Sequence, residues 1–123
     1  MIVGRVTGTA EAVVALHLRG PEGHQARIQA ILDTGFTDYL TLPWTTINEL
    51  HLLPMDTLEC QLADGRIVAL ESFQVGVLWD GTPREVLALA ADGESLLGMS
   101  MLYGSRVVIT VLAGGELTIE PIE

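Results

Sequence analysis

The chain contains no lysine, and its six arginines stand against sixteen acidic residues, a formal net charge of −10 over 123 residues. A basic stripe for phosphate is therefore missing, which argues against nucleic acid and against an anionic membrane surface as partners. The acids are spread along the chain rather than gathered in a tail, the pattern of a solvated surface that keeps a protein soluble. A single cysteine, Cys60, excludes an intramolecular disulfide and any cysteine-based metal cluster. In a strand-like context it is expected to pack as a small apolar side chain rather than to act as a redox switch. No apolar run approaches the ~18 residues of a membrane helix. The opening MIVGRVTGTAEAV lacks the apolar core and cleavage site of a secretory signal, so a cytoplasmic, reducing location is expected. His17, His24 and His51 lie at no metal-ligand spacing, and no metal or other cofactor is expected. Ser72, Ser95, Ser100 and Ser105 have no histidine partner in sequence, so no serine nucleophile comes into view.

What the chain does have is apolar residues in strand-length runs. At 49% hydrophobic it is rich for a small protein, which points to buried strands and a subunit interface. Its length suits one domain, residues 1–123. Residues 11–19 place Val14, Leu16 and Leu18 on one face and His17 and Arg19 on the other. A turn at 20–24 (GPEGH) returns the chain as QARIQAIL, ending at Asp33. A second hairpin runs ESFQVGVLW, DGTP (80–83), REVLALAA. Between these, Asp64-Gly65 sits at the centre of CQLADGRIVAL (60–70), a strong hairpin-turn signal. ITVLAGGELTIEP supplies a fourth hairpin, Leu117 and Ile119 alternating with polar neighbours. Helical signal is confined to 43–50, with Pro43 near its start, and to 98–104. Trp44 and Trp79 are expected to anchor the core or an interface. The expected fold class is mainly β.

One stretch carries chemistry. In AILDTGFTDYLTLP (30–43) an apolar pair leads into Asp33-Thr34-Gly35, and a strand-like Tyr39-Leu40-Thr41-Leu42 follows. A fainter echo comes later, where a second hairpin leads to Leu96-Leu97-Gly98. One carboxylate has little chemistry alone. Two carboxylates a few Å apart cannot both ionise; they share a proton, so one can accept a proton from water while the other polarises a carbonyl.

ILDTGFT, the central LADGR and the late LLGMSML together resemble the retropepsin-like aspartic proteases, in particular small single-domain prokaryotic members, over residues 11 to 112. The resemblance implies a closed β-barrel of the acid-protease type with one or two short helices. It also implies a homodimer in which each subunit gives one catalytic aspartate, here Asp33. Twofold symmetry would then supply the second acid. On the same basis Thr34 would hydrogen-bond across the axis, and Gly35 would let the backbone approach its twin and the substrate. Phe36, Thr37 and Asp38 would border a peptide substrate. Ala63, Asp64 and Gly65 would form the tip of a flap that closes over it, and Leu96, Leu97 and Gly98 would support the Asp33 loop. Two positions depart from the family pattern: Phe36 replaces a small or hydroxylated residue, and Met99 stands where viral members carry an arginine that braces the dimer.

The implied function is an aspartic endopeptidase acting on peptides or proteins. Other readings of the same residues stay open. Asp-Thr-Gly is good Asx-turn chemistry in any β protein, and Asp64-Gly65 suits any hairpin. The departures at Phe36 and Met99 favour a dimeric binding module of the same fold with little or no proteolysis. An unrelated ligand-binding barrel stands further behind.

Overall fold

The computed structural model describes residues 1–61 and 64–123. The elements run β1 (Ile2–Val6), β2 (Ala12–Arg19), β3 (Gln25–Leu32), β4 (Leu40–Leu42), α1 (Trp44–Glu49), β5 (Leu53–Gln61) and β6 (Ile67–Trp79). They continue as β7 (Thr82–Ala90), β8 (Ser95–Leu97), α2 (Met99–Leu102), β9 (Ser105–Ile109) and β10 (Glu116–Pro121). No described helix is long and apolar enough to cross a membrane.

The strands form one sheet in the order β5-β6-β7-β4-β8-β3-β2-β1-β10-β9. A further antiparallel pairing of β2 with β6, from His17↔Leu78 to Arg19↔Gly76, joins the two ends of the stretch β6 to β2 and closes it into a barrel. The expected closed, mainly β architecture is therefore what the chain adopts. β5 projects from this ring as an arm of the β5–β6 hairpin, and β1, β10 and β9 continue the sheet on the other side of β2.

The alternation in β2 does what its spacing requires. Val14, Leu16 and Leu18 are buried and pack with Val75, Val77, Leu40, Leu42, Leu97 and Met101 in the barrel core. Full burial of such a side chain is worth about 1.5–3 kcal/mol each, so the ring is held mainly by these contacts. Trp79 lies in this core, 9% exposed, whereas Trp44 is 42% exposed and meets Phe73 edge to face with ring centroids 5.5 Å apart.

Three elements differ from the sequence expectation. β1 was not foreseen; Gly4 within it packs so closely on β2 that an added Cβ would lie 2.2 Å from the Val13 carbonyl oxygen. β6 is one strand of 13 residues that serves two hairpins, pairing with β5 through its first half and with β7 through its second. Ser72, fully buried near the middle of β6, gives its hydroxyl proton to the Asp56 carbonyl. That carbonyl belongs to the register shift between Pro54 and Thr57, where β5 leaves the regular ladder. Finally, the last hairpin begins earlier than expected, with Ser105–Ile109 as its first strand and 110–115 as its loop.

Candidate active site

β8 threads between β3 and β4. It pairs in parallel with β3 (Ile31↔Leu96, Leu32↔Leu97) and meets β4 at Leu40↔Leu97. The two apolar pairs that echo each other in sequence are thus neighbours in the sheet. One step further, the Asp33 amide donates to the Leu97 carbonyl at 2.9 Å, so the ladder holds the acid's backbone before the chain turns away.

The turn is an Asx-turn. The Gly35 amide donates to Asp33 Oδ1 at 2.9 Å, and the Phe36 amide donates to the Asp33 carbonyl at 3.2 Å. Asp33 is half-buried while Thr34 and Gly35 are exposed. The bland reading of Asp-Thr-Gly therefore describes the local geometry correctly, and it is compatible with chemistry. Among the described residues Gly35 supplies the one hydrogen bond to this carboxylate, made to one of its two oxygens.

The rest of the loop is laced to the start of α2. Gly98 donates to the Tyr39 carbonyl at 3.0 Å, Met99 to the Phe36 carbonyl at 2.8 Å and Ser100 to the Asp38 carbonyl at 3.3 Å. The Ser100 hydroxyl donates to the Thr37 carbonyl. On the other flank, Thr41 Oγ1 accepts from the Leu96 amide at 2.8 Å. Leu97 is fully buried beneath the loop. A Cβ added to Gly98 would lie 2.0 Å from the Asp38 carbonyl oxygen and 2.7 Å from Cδ2 of Phe36. Glycine is needed there because of that close approach and not because of its backbone angles (φ −98°, ψ 174°), which any residue adopts. The Phe36 ring, half-buried, thus covers Gly98. Sequence reasoning missed Ser100 and Thr41 as braces; no local pattern marks them, since their partners lie far away in the chain.

Two hollows flank Thr34. One, of about 510 Å³, is walled by Leu32, Met99, Leu102, Tyr103, Val107 and Ile109. The other, of about 340 Å³, reaches Asp33 between Glu11, Ile31, Ile109 and Val111. Met99 is 45% and Tyr103 90% exposed. The larger hollow beside the Asp33 turn is therefore walled mainly by apolar side chains.

At the β5–β6 hairpin Gly65 takes φ +87°, a left-handed conformation natural to glycine. The Asp64 carboxylate accepts from the Arg66 amide at 3.0 Å and from Arg66 Nε at 2.6 Å. These bonds, the amide's first, hold Asp64 below the ordinary carboxylate range. Ala63, the remaining residue of the expected flap tip, lies outside the described residues. Cys60, on the same hairpin, has its thiol pushed up by burial and, secondarily, by the negative charge of Asp38.

No known family profile matches the chain, and no curated protein sequence matches it. Solved structures do. The equine infectious anaemia virus (EIAV) protease complexed with the inhibitor HBY-793 superposes with a TM-score of 0.55 at 20% identity, covering 73% of this chain and 83% of that one. A retropepsin-like aspartic protease from Rickettsia conorii gives a TM-score of 0.59 at 14% identity, covering 99% of this chain and 91% of that one. The fold is retropepsin-like.

Proposed function

We propose that the chain is a homodimeric aspartic endopeptidase whose reacting groups are two copies of Asp33, one from each subunit. The observation that carries this is the setting of Asp33 on a retropepsin-like fold: its amide fixed to Leu97, its loop seated on Gly98, its carboxylate held by the Gly35 amide at the edge of a hollow. One subunit presents one such acid, and an isologous dimer supplies the other.

In this reading a peptide lies extended between the Asp33 turns and the β5–β6 hairpins. The ionised carboxylate takes a proton from a water as that water's oxygen attacks the scissile carbonyl. The protonated carboxyl donates to the carbonyl oxygen. The tetrahedral intermediate then collapses, its C–N bond breaking as the nitrogen is protonated, and the pair returns to sharing one proton. Thr34 links the two turns, Gly35 permits their approach, and Phe36, Thr37 and Asp38 border the substrate. Asp64 and Gly65, with Ala63, form the flap, and Leu96, Leu97 and Gly98 hold the loop from below. We also propose that residues 1–123 act as one domain, in a prokaryotic cytoplasm, without metal or cofactor in catalysis and without nucleic acid or membrane as partner. The lack of lysine and the single cysteine support that setting.

A dimeric binding module with little proteolysis is the second reading, favoured by Met99, a side chain that cannot form the ion pairs of an arginine brace. Digestion of a peptide library separates the two. Wild type should cleave, faster in acid than in mildly alkaline solution because one carboxyl of the pair must carry a proton. Asp33→Asn should lose at least about 10²–10⁴-fold in rate with its melting temperature preserved. Equal cleavage by pure Asp33→Asn would exclude the protease reading.

A further inference from the structure

Two of the histidines that lie at no ligand spacing in sequence are brought face to face by the fold. The β2–β3 turn packs directly on the end of α1: Gly20 is buried, and a Cβ there would lie 1.9 Å from the Leu50 carbonyl oxygen. Each side of this junction is fixed by its own backbone. Gly20 donates to the His24 carbonyl at 2.8 Å, and Gly23, at φ +89°, donates to the Gly20 carbonyl at 3.2 Å. His51, just past α1, donates to the Asn48 carbonyl at 3.2 Å and holds φ +54°, uncommon for a residue with a side chain.

The result is a cluster at the surface. The rings of His24 and His51 have centroids 4.2 Å apart at 34° to each other, and Glu22 Oε1 lies 3.5 Å from His51 Nδ1. One donor atom from each of the three side chains lies within 4.8 Å of the other two, and all three are exposed. An exposed Glu22–His51 pair is worth little by itself and gives no role to His24. Two imidazole nitrogens and one carboxylate oxygen are a donor set with a clear preference. Imidazole suits zinc, copper and nickel, whereas magnesium and calcium call for more oxygens.

We propose that Glu22, His24 and His51 form a surface site for a divalent transition metal, with zinc as its simplest probe. Three protein ligands leave a fourth position for water, the pattern of an open zinc site. In a tetrahedron with bonds of 2.0–2.1 Å the donors lie ~3.3 Å apart, which exposed side chains reach by small rotations. The ion would cross-link the β2–β3 turn to the α1–β5 junction. The site shares no residue with the Asp33 loop and stands or falls separately from the protease reading.

The test is calorimetric titration of tag-free protein with zinc near neutral pH. One ion should bind per chain, and magnesium should give no saturable heat. Partners of metal ligands are themselves worth about 10- to 100-fold in affinity, so loss of a direct ligand should cost at least about tenfold. His24→Gln should show this loss, as should His51→Asn, since asparagine tolerates the left-handed backbone. His17→Gln should bind as wild type, because His17 is not one of the three clustered donors and its Nε2 is already engaged by Gln25 Oε1 at 2.7 Å. Metal-free melting curves check that each variant folds. Should one not, zinc-induced shifts of the ring signals of His24 and His51, with His17 unmoved, decide the matter in the wild type. Absence of saturable binding, fewer than one ion per chain, or undiminished affinity in folded His24→Gln or His51→Asn overturns the site.

Discussion

Gly98→Ala isolates the contact on which the Asp33 loop rests. The backbone there is extended, so alanine is conformationally acceptable and would by itself stabilise by about 0.4–1 kcal/mol through the unfolded chain. Space decides the outcome instead. The new Cβ would meet the Asp38 carbonyl oxygen at 2.0 Å and its carbon at 2.9 Å, with Phe36 Cδ2 at 2.7 Å. A ring edge can swing aside, but a backbone carbonyl must move by about 1 Å or more to reach a tolerable separation, since overpacked contacts are relieved only by such shifts. That movement pulls on the Ser100→Asp38 and Gly98→Tyr39 hydrogen bonds, each worth about 1 kcal/mol net. Adding an overpacking cost of about 1–3 kcal/mol and subtracting the unfolded-state gain leaves a destabilisation of about 2–4.6 kcal/mol if both bonds are lost. That is a large share of the ~5–15 kcal/mol typical of a domain. Urea denaturation with the unfolding slope checked for constancy reads this directly. Gly8→Ala is the internal comparison, since nothing lies within 4 Å of its added Cβ, and it should cost nothing and stabilise by up to about 1 kcal/mol through the unfolded chain. If Gly98→Ala cost no more than Gly8→Ala, the close packing of loop on α2 would not be what holds Asp33 in place.

Specific activity should fall on dilution, because half of the proposed acid pair comes from a second chain. Added salt should oppose that fall by screening two bodies of net charge −10, and sedimentation at matched concentrations checks it; activity at a concentration where only monomer sediments would refute the shared pair. Asp64 titrates low because of Arg66, so the turn's support is present above the ordinary carboxylate range and is lost as pH falls through the depressed folded value. Arg66→Ala should move the Asp64 carboxyl titration, followed by NMR, part of the way back up, and an unchanged midpoint would remove the guanidinium from the account. Burial and Asp38 both hold the Cys60 thiol protonated, so iodoacetamide should modify it slowly at neutral pH and faster in Asp38→Asn. Equal rates in the two proteins would show that the Asp38 charge does not reach it.

Much of the barrel can be read from local pattern. β2 and β3 follow from alternation and from the Gly20-Pro21-Glu22-Gly23 punctuation. The β6–β7 turn follows from Asp80-Gly81, which take φ +50° and +81° between the paired Trp79 and Thr82, the backbone a two-residue hairpin asks for. Asp33-Thr34-Gly35 stands out because an acid at the end of an apolar run is costly without a purpose. Other features are invisible locally. IVGRV becomes β1 only because β10 and β2 are there to pair with it. The continuity of β6 depends on two partners at once, and the bulge at Pro54–Thr57 blurs where β5 begins. The need for glycine at 98 comes from Asp38 and Phe36, and the meeting of His24 with His51 comes from Gly20 lying on Leu50. In each case the cause is a neighbour in space whose place in the chain no short pattern announces.

The threading of β8 between β3 and β4 also orders events in time. β3 and the Asp33 turn are synthesised well before β8, yet the amide of Asp33 has no sheet partner until Leu97 arrives, and the loop has no seat until Gly98 and Ser100 follow. Closing so long a loop carries an entropic cost that must be met before the parallel pairing repays it, and such non-local strand pairs form slowly. On the ribosome, most of the barrel's strands leave the exit tunnel before the turn can be set. The nascent chain therefore carries its Asp-Thr-Gly sequence, until Leu97 and Gly98 have followed, without the geometry that would give that sequence chemical meaning.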